Sequence, residues 1–172
     1  MHIAAPVEVE LDDTPTADVG RCNDNIADVT TAQTNPASQA QPLQLDEAKD
    51  HFIHRNGVEF AGTHLLLDLW GATHLDDIER MEQAMRDIVT ACGATLLHIH
   101  LHHFSPSGGV SGVAVLAESH ISVHTWPERD YAAFDVFMCG DAQPENAMPI
   151  LKRAFLPHRL EVCEQLRGRV QE

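Results

Sequence analysis

The chain has 172 residues, of which 44% are hydrophobic, 22% charged and 5% aromatic, a composition typical of one ordinary globular domain. Eleven Lys and Arg residues against 26 Asp and Glu residues give a formal net charge of -15, which repels phosphate backbones and anionic lipid head groups and argues against nucleic acid and membrane partners. No apolar run reaches the roughly 18 residues of a membrane span, and Glu8 and Glu10 lie where a signal peptide is apolar. We therefore expect a cytoplasmic protein.

Residues 1–50 are predicted to form a mobile acidic tail. They carry ten acidic and two basic residues and show no sustained period of 2 or 3.6. Residues 51–172 are then the folded domain. The cysteines are too widely spaced for CxxC motifs and too few for a disulfide scaffold, so free thiols are expected at all four positions. These positions are Cys22, Cys92, Cys139 and Cys163.

The folded domain begins with one predicted strand and one predicted helix. The apolar segment FAGTHLLLDLWG, residues 60–71, predicts a buried strand. Thr73 is predicted to cap the helix that follows, and Gly93 to end it. The apolar residues between them recur every three or four positions on one core-facing stripe: Leu75, Ile78, Met81, Met85, Ile88, Val89 and Cys92.

The rest of the chain predicts more strands and a second helix, which Asn146 can cap and which runs through Phe155. The predicted strands are 94–104, 113–117, 121–126, 132–139 and 159–166. This order favours an α+β fold, a two-layer sandwich of a mainly antiparallel sheet with both helices on one face. The bare sheet face favours burial against a second copy, so we expect a homodimer with four αββα layers.

Three histidines alternate along one predicted strand. His98, His100 and His102 are separated by Ile99 and Leu101, so an extended backbone points all three imidazoles to one face. Imidazole is a common metal ligand, so a non-enzymatic metal-binding module is one interpretation. The other is that the histidines lie on the solvated or interface side of the strand.

Residues 104–140, FSPSGGVSGVAVLAESHISVHTWPERDYAAFDVFMCG, contain the motifs GVSG, ESH, HTWPE and CG in this order. With these motifs, and with GTHLLLDLWG before and LRGR after them, the chain resembles the prokaryotic S-adenosylmethionine decarboxylase proenzyme family. The resemblance covers residues 57–169 and leaves the tail unexplained. It implies the fold of that family and a pyruvoyl-dependent enzyme that cuts its own chain.

The resemblance implies self-cleavage between Glu118 and Ser119, giving fragments 1–118 and 119–172. The Ser119 hydroxyl would attack the preceding carbonyl, and elimination with loss of ammonia would leave a pyruvoyl group at position 119. The protein would thereby make its own cofactor. That ketone would form a Schiff base with the substrate amine and accept the electrons released as carbon dioxide leaves.

Six further roles follow from the same matching. His124 and Ser111 would assist the cleavage, and Cys139 would return a proton to the substrate after decarboxylation. Phe104 would stack on adenine, with core packing as an equal alternative, and Glu128 would hold ribose hydroxyls, with a solvated loop charge as its alternative. Phe60 is a weaker stacking candidate, for which core packing is favoured.

The implied substrate is S-adenosylmethionine, and the implied product is the aminopropyl donor for spermidine synthesis. An arginine or ornithine decarboxylase on the same fold stays open as an alternative, because the cleavage residues do not specify the substrate side chain.

The spacing of two site residues adds a geometric prediction. If the chain is extended from Ser119 to His124, five steps separate the two residues by about 16 Å and put them on opposite sheet faces. We therefore predict that His124 acts on Ser119 of the other copy in a dimer, unless a sharp bend lies between them.

Overall fold

One large sheet and its connecting turns carry every candidate site residue except Phe60. The structure is a computed structural model that describes residues 20–21 and 52–170. In chain order the elements are β1 (Gly20–Arg21), β2 (Ile53–Arg55), β3 (Val58–Phe60), β4 (Gly62–Trp70), α1 (Ile78–Ala91), β5 (Leu96–His103), β6 (Val110–Leu116), β7 (Ser119–Trp126), β8 (Tyr131–Cys139), α2 (Ala147–Phe155) and β9 (Arg159–Arg167).

The large sheet has seven strands in the order β1-β9-β4-β8-β7-β6-β5, and β2 and β3 form a separate hairpin. Every neighbouring pair in the large sheet is antiparallel except β1 with β9. The predicted α+β class and the predicted order of strands and helices from β4 onwards are therefore confirmed. The hairpin β2–β3 and the parallel strand β1 were not predicted. No helix among the described residues is long and apolar enough to span a membrane.

The first helix begins later than predicted. Its N-cap is Asp77, whose carboxylate accepts a hydrogen bond from the backbone N–H of Arg80 at 3.0 Å. Thr73 does not cap it, because His74 has a φ of +59°, which interrupts any helix starting there. The Thr73 hydroxyl instead donates to the carbonyl oxygen of Phe155 at 3.2 Å. The predicted stop is confirmed, since Gly93 follows the C-cap with a φ of +74°.

Both helices cover the same face of the sheet. Along β8 the side chains alternate, and Ala132, Phe134, Val136 and Met138 are buried in one cluster with apolar residues of both helices. The opposite face, which we call the open face, is covered by neither helix. It exposes more than a third of each of four large apolar side chains: Leu66, Trp70, Val115 and Trp126.

The expectations for the tail and for the cysteines have different outcomes. Of the predicted tail, only Gly20–Arg21 lies within the described residues, where it forms β1 beside Cys163 and Glu164. Cys92 and Cys139 are free thiols as expected. Cys163 is disulfide-bonded, so the free-thiol expectation is wrong there. The unpredicted strand beside β9 makes that position part of the sheet interior rather than its edge.

One buried hydroxyl ties the sheet to the loop before α1. Thr125 is only 7% exposed. Its Oγ1 accepts a hydrogen bond from the backbone N–H of Val110 at 2.7 Å and donates one to the carbonyl oxygen of Leu75 at 2.9 Å. The start of β6, the end of β7 and the helix approach are thus joined at one atom.

We predict that Thr125→Val lowers the free energy of unfolding by about 2–4 kcal/mol, because valine keeps the volume but leaves two buried backbone groups without their partner. Thr125→Ser keeps the hydroxyl and should cost about 1 kcal/mol for the lost methyl group. Urea denaturation of chains that also carry Ser119→Ala measures both values on one uncleaved polypeptide. Equal losses in the two variants would contradict the role of the hydroxyl.

Candidate active site

The hairpin β6–β7 positions half of the predicted site residues. Its pairing is continuous from Ser111 opposite His124 to Leu116 opposite Ser119, and a two-residue turn, 117–118, closes it. Gly112 of the GVSG motif is required by a close approach of β5, since a Cβ there would lie 2.2 Å from the carbonyl oxygen of His100. Because the pairing with β6 is continuous, β7 runs without a bulge from Ser119 to His124.

Three of the predicted residues meet at the turn end of this hairpin, in a group we call the hairpin-end cluster: Glu118, Ser119 and Cys139. The backbone N–H of Cys139 donates to Ser119 Oγ at 3.2 Å. The Cys139 thiol donates to the carbonyl oxygen of Glu118 at 3.1 Å. Cys139 thus contacts both sides of the peptide bond between Glu118 and Ser119.

The surroundings of Cys139 keep its thiol protonated. Burial raises the pKa of Cys139, and the nearby Glu118 carboxylate raises it further, while the hydrogen bond with Ser119 lowers it. With a pKa above its ordinary value, the group carries its proton at neutral pH. Cys139 can therefore donate a hydrogen bond or a proton, but it is a poor nucleophile at that pH.

A second group of predicted residues lines a cavity of about 250 Å³ at the other end of β7. Its central contact is a hydrogen bond between Ser111 Oγ and His124 Nδ1 at 2.8 Å. The two residues are cross-strand partners, so their side chains share the open face. The lining residues are Phe104, Ser107, Gly109, Ser111, His124, Thr125, Trp126 and Glu128.

Phe104 and Glu128 reach this cavity from loops. Phe104 follows β5, is 46% exposed and packs edge-on against His102, with 4.6 Å between ring centroids. Glu128 lies in the 3₁₀ turn Pro127–Arg129 after β7. An exposed aromatic ring and a carboxylate therefore flank the Ser111–His124 pair.

Phe60 ends β3, outside the large sheet, and does not line the cavity. Its ring is fully buried, and the Arg55 guanidinium stacks 5.4 Å from its centroid. Within this chain, Phe60 presents no free ring face to a ligand.

The two groups do not meet within one chain. Five residue steps of extended strand separate Ser119 from His124 by about 16 Å. Ile121, Val123 and Thr125 point into the core, while His124 is exposed on the open face. The bend that would bring Ser119 and His124 together in one protomer is absent from β7.

The sequence did not single out several polar side chains near these groups. Ser122 donates to Asp135 Oδ2 at 2.7 Å, and His64 Nε2 lies 3.6 Å from Asp135 Oδ1. His64 also accepts a hydrogen bond from the Arg167 guanidinium on Nδ1 at 3.2 Å, and burial lowers the pKa of its imidazole. Strand alternation put Trp126 on the same face as His124, and this signal could have predicted its place in the cavity lining.

The alternating histidines do not form a metal site in the described part of the chain. His98, His100 and His102 lie exposed along β5, which is the last strand of the large sheet. Within residues 20–21 and 52–170, no three His, Cys, Asp or Glu side chains are grouped so that they could hold a metal ion.

Comparisons with known proteins agree on one family. The protein-family model described as S-adenosylmethionine decarboxylase matches residues 63–168. A chain from Thermomicrobium roseum, named S-adenosylmethionine decarboxylase proenzyme, is 46% identical over 110 residues, which are 63% of this chain and 95% of that protein. The proenzyme of the same name from Methanococcus vannielii is 50% identical over 110 residues, covering 62% of this chain and 89% of that one.

A solved structure adds the fold. The crystal structure of the adenosylmethionine decarboxylase from Aquifex aeolicus VF5 superimposes with a TM-score of 0.59 and 34% identity, covering 66% of this chain and 95% of the other. The region matched by the family model contains both strands of the β6–β7 hairpin. The chain therefore belongs to the S-adenosylmethionine decarboxylase family.

Proposed function

We propose that this chain is a proenzyme that cleaves itself between Glu118 and Ser119 and then decarboxylates S-adenosylmethionine through a pyruvoyl group at position 119. One observation carries the proposal: Cys139 donates hydrogen bonds to both Ser119 Oγ and the Glu118 carbonyl oxygen. Such contacts hold the attacking oxygen beside the bond that breaks.

The cleavage begins with attack of Ser119 Oγ on the carbonyl carbon of Glu118. A C–O bond forms, the C–N bond breaks and the hydroxyl proton ends on the Ser119 nitrogen, giving an ester. A base then removes the Ser119 α-proton, the Cβ–Oγ bond breaks and Glu118 leaves as a carboxylate. Water hydrolyses the resulting enamine, by way of its imine, to the pyruvoyl group and ammonia. The Cys139 thiol stabilises the charge that develops on the Glu118 oxygen in the first step.

The same thiol serves the decarboxylation. A pyruvoyl group supplies a carbonyl that accepts electrons, the role that pyridoxal phosphate has in other enzymes. Cys139 is held beside position 119 and keeps its proton at neutral pH, so it is placed to protonate the substrate carbon. Its raised pKa favours this role over that of a nucleophile.

The cavity supports S-adenosylmethionine as the substrate. The exposed ring of Phe104 can stack on a purine, and the Glu128 carboxylate can accept hydrogen bonds from ribose hydroxyls. Arginine and ornithine have no ring for Phe104 to stack on. In the cytoplasm, the product supplies aminopropyl groups for spermidine synthesis.

A second copy of the chain completes the site. The open face exposes Leu66, Trp70, Val115 and Trp126, and burying them against a second open face gives a four-layer homodimer. Ser111 and His124 lie on that face as a hydrogen-bonded pair, so one protomer contributes both residues. In the dimer, this pair from one protomer acts on the hairpin-end cluster of its partner.

Ser119→Ala is expected to remain a single full-length chain and to release no carbon dioxide, because alanine lacks both the attacking oxygen and the leaving group. The unsubstituted protein should give two fragments and decarboxylate S-adenosylmethionine, but not arginine or ornithine. Mass spectrometry and carbon dioxide release from the three compounds measure these outcomes. Two fragments from the Ser119→Ala chain would overturn the cleavage site.

Cys139→Ala is expected to cleave about tenfold more slowly and to decarboxylate at less than about a hundredth of the normal rate, since one donor serves both steps. Cys139→Ser keeps a donor and should cleave faster than Cys139→Ala. Single-turnover cleavage on gels and carbon dioxide release from the fully cleaved fraction separate the two effects. Unchanged rates in both assays would show that Cys139 only packs in the structure and takes no part in either step.

Coexpression of differently tagged Ser119→Ala and His124→Ala chains is expected to restore cleavage, although the first alone does not cleave and the second alone cleaves poorly. In the mixed dimer, the Ser119→Ala protomer supplies an intact Ser111–His124 pair to the intact Ser119 of its partner. The cleaved polypeptide should therefore carry the tag of the His124→Ala chain. Mass spectrometry of dimers isolated through both tags measures this fraction.

The matched control combines Ser111→Ala with His124→Ala chains. Every site in that mixed dimer lacks one member of the pair, so cleavage should stay low. No rescue in the first mixture would contradict the action of His124 across the dimer.

A further inference from the structure

The peptide bond that the proposed cleavage breaks lies in a two-residue turn with an unusual backbone. Leu116 pairs with Ser119, so Ala117 and Glu118 alone connect β6 to β7. Glu118 has a φ of +62°, in the left-handed region that glycine adopts readily and other residues adopt at a cost. The residue that provides the scissile carbonyl is therefore held in a strained conformation.

The turn type adds to this strain. Two-residue hairpin turns that match the twist of their strands have a positive φ at the first turn residue, either alone or together with the second. Here the second residue, Glu118, has the positive φ, and Ala117 does not. The turn thus lacks the backbone pattern that relaxed two-residue hairpins use.

Contacts on both sides prevent the turn from relaxing. The backbone N–H of Ala117 donates to the carbonyl oxygen of Thr95 at 2.9 Å. The Glu118 carbonyl oxygen and Ser119 Oγ are both bound to Cys139. A residue in a sparsely populated conformation persists when its surroundings fix it in this way.

We propose that the left-handed backbone of Glu118 is strain that accelerates the first step of self-cleavage. The proposal rests on the cleavage described above. In the peptide, one atom, the Ser119 nitrogen, connects the Glu118 carbonyl carbon to the Ser119 Cα. In the ester two atoms, Oγ and Cβ, connect them. The closed turn therefore gains one bond when the acyl group moves from nitrogen to oxygen, and Glu118 can leave the left-handed region.

The test compares substitutions that all remove the Glu118 carboxylate but differ in the cost of a positive φ. Glu118→Ala keeps the strain, Glu118→Asn reduces it and Glu118→Gly abolishes it. We expect cleavage to be fastest in Glu118→Ala and slowest in Glu118→Gly, with about a fivefold difference between them. The measurement is the rate at which full-length chain disappears after refolding or synthesis.

The melting temperatures of the uncleaved chains should follow the opposite order. In chains that also carry Ser119→Ala, Glu118→Gly should melt about 2–4 °C above Glu118→Ala, because the relieved strain stabilises the intact turn. A melting order without a matching order of cleavage rates would show that the strain exists but does not drive cleavage, and would overturn the proposal.

Leu156→Gly is the matched control, because Leu156 also has a positive φ, +49°, but lies at the end of α2. Relieving strain there should leave the cleavage rate unchanged. Equal cleavage rates in Glu118→Ala, Glu118→Asn and Glu118→Gly would overturn the inference, and the Ala–Asn comparison decides it should the glycine variant not fold. Absence of any cut between Glu118 and Ser119 in the unsubstituted chain would instead overturn the proposed function itself.

Discussion

The uninterrupted antiparallel pairing of β6 with β7 is the constraint on which the rest of the site depends. Because no bulge or bend breaks it between Ser111–His124 and Leu116–Ser119, the distance between the two ends is set by strand geometry alone. Each end then has its own chemistry. One end offers a hydroxyl, a carbonyl and a thiol in contact, and the other offers a hydroxyl, an imidazole and a cavity. Because this hairpin keeps the two sets apart within one chain, the proposed cleavage requires a second protomer.

Neighbouring elements fix the two ends separately. Cys139 is the last residue of β8. Because β8 ends there, the backbone N–H and the thiol of Cys139 both lie beside the turn at 117–118. At the other end, the Thr125 hydroxyl ties β7 to the start of β6 and to the approach of α1. The buried core is therefore continuous with the site at both ends, and changes in strand packing are expected to alter catalysis as well as stability.

The sequence predicted the strands from β4 onwards and the helical stripe because burial leaves a clear period along the chain. It misplaced the start of α1, because a cap at Thr73 and a cap at Asp77 look alike until the φ of His74 is known. Motifs indicated the candidate site residues, but they could not show that Ser111 pairs with His124, because the period of each strand does not determine the register between the two. Burial of Phe60 was the favoured expectation and is confirmed, but its contact with the Arg55 guanidinium depends on a hairpin that no pattern indicated.

The strand order has a consequence for the molecule after the proposed cut between Glu118 and Ser119. Strand β4 precedes the Glu118–Ser119 bond, yet it lies between β8 and β9, which both follow that bond, and it pairs with nine residues of each. Strand β6 likewise keeps its partner β7 across the break. Neither piece contains the whole large sheet, and the apolar core is built from residues of both. The two polypeptides are interleaved rather than joined side by side, so they would stay one folded unit through purification and separate only when the whole sheet is denatured.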